Sequence, residues 1–240
     1  MATVRRAAPL VFPAISRHTA TVIFIHGLGD SGHGWGDAVE HWRSRQKLDE
    51  IKFILPHAPT LPITMNGGYP MPGWFDIKSI GGSSDSIEAQ GRDEDAAGIL
   101  ASRDYFHSLI QEEIAAGISA DRIILGGFSQ GGAMSILSGL TAPVKIGGIV
   151  GLSSWLLLSR TFMDHVPEGN LNKKTPILMG HGDRDPLVLY PLAQASENKL
   201  KELGYDVTFK TYPGMQHSAC LEELNDVEAF LQSALSSKSG

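Results

Sequence analysis

The sequence has 240 residues, 42% hydrophobic and 19% charged, with a formal net charge of −6 and one cysteine, Cys220. This is the composition of a soluble globular chain long enough for one large core, with no basic cluster to hold nucleic acid and no apolar run reaching the ~20 residues of a membrane helix. A lone cysteine excludes an intramolecular disulfide and fits a reducing, cytoplasmic setting.

Residues 1–17 carry Arg5, Arg6 and Arg17, but Pro9 and Pro13 interrupt the apolar stretch that a secretory signal would need. Residues 1–9 are the candidates for disorder. Residues 20–26, ATVIFIH, read as a central strand buried on both faces. The next six, Gly27-Leu28-Gly29-Asp30-Ser31-Gly32, match G-x-G-x-x-G. A dinucleotide site would need a helix opening at the last glycine and an acid at the end of the following strand. Here His33-Gly34-Trp35-Gly36 delays the helix, and the strand at 51–55 runs straight into Pro56-His57-Ala58-Pro59. An oxyanion loop is the better reading, with the backbone N–H of Leu28 aimed at a nucleophile on a neighbouring strand. His26 can shape that loop by hydrogen bonding, and Asp30 can tie down its N–H groups.

Residues 56–76 hold five prolines and three glycines without periodicity, which predicts a long ordered loop or a surface excursion. Its Leu61, Ile63, Met65, Tyr69, Met71, Trp74 and Phe75 either pack as a flap or line an apolar groove; composition leaves both open. A glycine- and serine-rich connection follows. Residues 86–118 then read as helical, with Glu88, Asp93, Glu94 and Asp95 as a solvated acidic face.

The chain is organised around residues 121–140, DRIILGGFSQGGAMSILSGL: a short apolar strand, a glycine-rich turn, then apolar residues at helical spacing. Within it Gly127-Phe128-Ser129-Gln130-Gly131 fits the G-x-S-x-G elbow, which lifts a serine Oγ above the sheet. The helix start also points free N–H groups at the reacting centre, so Gln130 N–H is the second candidate donor. The plain alternative is a glycine-rich turn whose serine caps the helix.

Residues 144–152 are another buried strand, with Trp155, Leu156 and Leu158 just beyond it, either in the core or beside a ligand. The strand at 175–180 ends in His181-Gly182-Asp183-Arg184-Asp185-Pro186. No further cluster supplies a third or fourth ligand, so no metal is expected; a catalytic acid is the better use, with Asp183 and Asp185 both open. A helix over 187–203, an edge strand over 205–212 and a closing helix over 221–235 complete the chain, leaving His217 in the last loop.

Serine, then acid, then histidine is the α/β-hydrolase order. A serine hydroxyl needs an imidazole to take its proton, and the imidazole needs an anion to hold its tautomer. The expected fold is therefore α/β: a single α/β-hydrolase domain over residues 1–240, with a mostly parallel sheet flanked by helices on both faces. No cofactor is required.

FIHGLGDSGHGW at 24–35, GGFSQGGAMS at 126–135, HGDRDPLV at 181–188 and FKTYPGMQHSAC at 209–220 stand in one order, with WFD at 74–76 between them. In these stretches the sequence resembles the acyl-protein thioesterase and lysophospholipase group of cytosolic carboxylesterases. The resemblance implies that the aspartate before Pro-Leu-Val, Asp185, is the acid. It also implies cleavage of long-chain thioesters on protein cysteines, and of lysophospholipids and simple esters. Leu61, Ile63, Met65, Trp74, Phe75, Trp155, Leu156 and Leu158 would then line an acyl channel. The implied partners are S-acylated proteins and lysophospholipid-like lipids, met by transient membrane contact, with at most a weak homodimer. Asn66-Gly67-Gly68-Tyr69 departs from the common pattern. A short-chain carboxylesterase and a lipid-binding module without turnover are the competing readings.

Overall fold

The computed structural model describes residues 6–80 and 93–236. Its centre is a seven-stranded sheet: β1 (Leu10–Phe12), β2 (Ala20–Ile25), β3 (Ile51–Leu55), β6 (Ile123–Phe128), β7 (Gly148–Leu152), β8 (Ile177–Gly182) and β9 (Val207–Tyr212). The spatial order is β1-β3-β2-β6-β7-β8-β9, and every pairing is parallel except that of β1 with β3. A separate hairpin joins β4 (Thr60–Ile63) to β5 (Tyr69–Pro72).

The inner strands are continuous apolar runs because helices cover both faces. On β2, Ile23 and Ile25 enter one core while Val22 and Phe24 enter the other. The first core takes α2 (Ala96–Ala115), α3 (Gln130–Leu140) and α4 (Tyr190–Glu202) through Phe106, Met134, Ile136 and Leu200; the second takes α1 (Gly36–Ser44) and α5 (Leu221–Leu235) through Trp42, Val227 and Leu231. Burying each such side chain stabilises by roughly 1.5–3 kcal/mol.

Register sets where the site falls. Ile25 pairs with Gly127, Phe128 with Leu152, Leu152 with Gly180, and Gly182 with Tyr212, so five strands end along one edge. The loops after β2, β6, β8 and β9 therefore open on the same side, where ligands of open parallel sheets bind.

Several expectations are corrected. The stretch at 56–76 holds the β4–β5 hairpin; Pro62 lies opposite Pro70 and Thr60 opposite Pro72, pairings that a two-stranded ribbon tolerates because outward-facing positions need no N–H donor. The predicted helix at 86–118 runs only from Ala96, because the Asp95 side chain accepts from Gly98 N–H and caps it. Glu88 lies outside the described residues, and Asp95 and Glu94 are not a solvated face. Asp95 also accepts from Asp76 N–H, and Glu94 accepts from Leu158 N–H at 2.8 Å. Among residues 1–9, Arg6 is held over the Tyr105 ring, 4.2 Å from its centroid, with a bond to Ser102. Residues 1–5 lie outside the described ones. No described helix is long and apolar enough to cross a membrane.

Candidate active site

Ser129 is the hinge between β6 and α3. Its backbone is left-handed, at φ +55°, a conformation that costs a non-glycine residue on the order of 1–3 kcal/mol. The turn is held by Ser129 N–H donating to Leu152 O and by Ala133 N–H donating to Ser129 O. Glycine is needed at 131 because a Cβ there would collide with Ile25 O. The result is a serine at the strand edge, 8% exposed, with its hydroxyl above the sheet.

His217 comes from the loop between β9 and α5. Its Nε2 lies 2.9 Å from Ser129 Oγ, and its Nδ1 lies 2.7 Å from Asp185 Oδ2. Asp185 sits on the turn after β8 and is 4% exposed. Its Oδ1 accepts from the N–H groups of Leu187 and Val188, both at 2.9 Å. Burial pushes this carboxyl up, but the His217 bond and the two backbone bonds outweigh it and hold it below the usual range. An ionised Asp185 only accepts, so Nδ1 of His217 carries the proton and Nε2 is free to take one from Ser129. Asp183, exposed, accepts instead from Gly214 N–H at 2.6 Å and does not reach the imidazole.

The loop after β2 closes over the serine. Gly27 comes so near that a Cβ on it would stand 3.3 Å from Ser129 Cβ, so the chain carrying Leu28 passes close to the serine. Among the described residues, neither Leu28 N–H nor Gln130 N–H is taken by a protein acceptor. Asp30 accepts from Ser31 N–H at 2.7 Å. His26 donates from Nδ1 to Gly27 O at 2.7 Å and accepts at Nε2 from Ala58 N–H at 3.1 Å; burial keeps it neutral, pushing its pKa down. A cavity of about 510 Å³ opens beside Ser129 and His217, walled by Leu28, Met65, Met71, Ile77, Ile80, Phe128, Leu187 and Val188. The geometry offers a polarised hydroxyl, two unpaired N–H donors and an apolar chamber, which together suit acyl transfer.

The sequence matches the Phospholipase/Carboxylesterase family over residues 7–235. The chain belongs to this family. Acyl-protein thioesterase 1 of Neurospora crassa is 61% identical over 98% of this chain and 95% of its own length. Its namesake from Gibberella zeae is 62% identical over 97% and 98%. Among solved structures, Zea mays acyl-protein thioesterase 2 superposes with a TM-score of 0.81 at 30% identity, covering 95% of this chain and 98% of that one. Arabidopsis thaliana SOBER1 gives the same TM-score at 33%, covering 90% and 99%. The fold is that of an α/β hydrolase, as expected.

In this phospholipase/carboxylesterase chain, the eight residues expected to line an acyl channel divide unevenly. Met65 is in the cavity wall. Leu61, Ile63, Trp74, Phe75, Trp155, Leu156 and Leu158 are not among the residues walling it: all but Leu61 are buried in the core, and Leu61 packs against it. Apolar character alone does not separate a chamber wall from a packed interior. Sequence reasoning missed Phe128, Leu187 and Val188 as walls, although each lies next to or within three residues of Ser129 or Asp185. Phe128 also packs on the His217 ring, with centroids 4.8 Å apart.

Proposed function

We propose that this family member is a serine hydrolase that removes long acyl chains from protein cysteines through an acyl-enzyme. Ser129 is the nucleophile, His217 the base and then the acid, and Asp185 the anion behind the imidazole. The Leu28 and Gln130 N–H groups receive the oxyanion. What carries this reading is the unbroken Ser129–His217–Asp185 chain of 2.9 and 2.7 Å opening into an apolar chamber. The names of the Neurospora crassa and Gibberella zeae relatives support it at 61% and 62% identity.

In the first half-reaction His217 Nε2 takes the Ser129 proton as Oγ attacks the thioester carbonyl. Collapse breaks the C–S bond, and the cysteine sulfur leaves with that proton. Water then repeats the sequence on the acyl-serine, releasing a fatty acid and restoring the hydroxyl. Burying the chain among Met65, Met71, Ile77 and Leu187 contributes roughly 0.8 kcal/mol per CH₂. Tyr69 on the hairpin and Leu187 on the cavity rim, 69% and 59% exposed, favour transient contact with a membrane surface. The family description favours O-esters such as lysophospholipids as further substrates. The proposal includes a single domain, a cytoplasmic location and self-association no stronger than a weak homodimer.

One rate series tests it: acyl chains from acetyl to palmitoyl, each as ester and thioester. We expect kcat/KM to rise with chain length and to be highest for thioesters. A maximum at acetyl to butyryl would leave a short-chain carboxylesterase. Failure of a fluorophosphonate to label Ser129 in folded protein would leave a lipid-binding module.

A further inference from the structure

Trp74 is not among the residues that wall the chamber, and its N–H groups are committed to protein acceptors. Its indole Nε1–H donates to His26 O at 2.8 Å, and its backbone N–H donates to the side-chain Oε1 of Gln130 at 2.9 Å. Gln130 completes the clamp by donating from Nε2 to Phe75 O at 2.8 Å. Trp74 is 2% exposed and Gln130 wholly buried, so water does not compete for these bonds.

We propose that Trp74 and the side chain of Gln130 are positioning residues that staple together the two oxyanion donors. This rests on the reading of Leu28 and Gln130 N–H as those donors. The donors belong to different elements, one to the loop after β2 and one to the start of α3. The elbow fixes only the second. A rotation of the Gly27–Leu28 peptide would withdraw the first, and it is opposed by the bonds to Gly27 O, one of them from Asp30 N–H at 3.3 Å. That peptide is gripped at its carbonyl by His26 Nδ1–H, and the carbonyl of His26 is gripped in turn by the Trp74 indole. The same tryptophan is bonded to Gln130, whose main chain supplies the other donor. One residue therefore bridges both halves of the hole, and preorganised donors of this kind act in the transition state rather than on bound substrate.

Trp74→Phe keeps most of the ring and removes the indole donor; Gln130→Met keeps length and the main-chain N–H and removes the amide clamp. Both are measured per active site titrated with fluorophosphonate. The readouts are kcat, KM, Tm and the inhibition constant of an acyl trifluoromethyl ketone, which forms a tetrahedral oxyanion on serine. We expect kcat to fall about 10- to 100-fold in each, less than the ~10²–10³ that follows loss of a donor itself. KM should stay within about threefold, with ketone affinity falling in step with kcat/KM. The double variant should lose little more than the worse single one, because both act on one staple. Lowered Tm with kcat and ketone affinity intact per titrated site would overturn the proposal and leave the pair as ordinary core contacts. If Gln130→Met does not fold, Gln130→Glu takes its place: it retains the Trp74 acceptor but sets a carboxylate against Phe75 O, and the same two outcomes decide. Persistent activity in Ser129→Ala would instead sink the hydrolase reading itself.

Discussion

The elbow helix and the hairpin approach the same chamber and are built in opposite ways. All eleven residues of α3 are buried, and its first turn is so tight against β2 that only glycine fits at 131. The β4–β5 hairpin is a two-stranded ribbon with exposed prolines, and its tip, Gly67-Gly68, is left-handed with no atom within 4 Å of where a Cβ would stand. A ribbon of this kind has little stability of its own. Under the proposed reaction, chemistry that must hold atoms to a few tenths of an ångström falls on the packed side and contact with the acyl chain on the looser one.

The contrast can be broken most severely at the packed side. Ser129→Ala or His217→Ala should lower kcat by ~10⁴ or more, and Asp185→Asn by about 10⁴ through loss of the correct tautomer. Asp183→Asn should alter steady-state rates only slightly, since that side chain holds the Pro213-Gly214 turn; a loss at 183 equal to that at 185 would refute the assignment. Gly131→Ala should destabilise by at least ~1–3 kcal/mol, measurable as a lower denaturant midpoint, because neither Ile25 O nor the sheet can move aside.

A pH titration of stability probes the same half. Burial pushes the Glu94 carboxyl up to about 7, against the pull of Leu158 N–H, and burial together with Asp226 pushes Glu223 up to about 8, both from 4.5. Each folded carboxyl holds its proton more tightly than the unfolded one, so its contribution is complete below about 4.5 and is lost as pH rises through those values. Tm should fall from pH 5 to pH 8, by the equivalent of on the order of 3 kcal/mol for Glu94, and Glu94→Gln or Glu223→Gln should flatten the curve. An unchanged slope in both variants would refute this. The smallest effect is expected at the hairpin tip. Gly67→Ala or Gly68→Ala should cost about 1–2 kcal/mol locally through the left-handed backbone, shifting KM for long acyl chains while leaving short-ester turnover alone.

The sheet was legible because five apolar runs end at turn residues; Ser129 and the acid turn each follow one of them directly, and His217 lies in the loop after the edge strand. Which aspartate meets the imidazole was not, since Asp183 and Asp185 share one turn and backbone torsions decide which faces inward. β1 is three residues long and left no periodicity to read. The hairpin hid behind its prolines, which normally argue against strands. Trp74 reads as a chamber wall from the apolar character of its loop and the family resemblance, and only three-dimensional placement shows that its N–H is committed to His26 O.

The left-handed serine has a further consequence. Ser129 occupies a torsional region that glycine enters freely, so Ser129→Gly should leave a protein that melts higher than Ser129→Ala. The native chain thus keeps a conformational tension at the proposed nucleophile that a glycine copy would be free to shed. Heat tolerance and turnover are set against each other at this one residue.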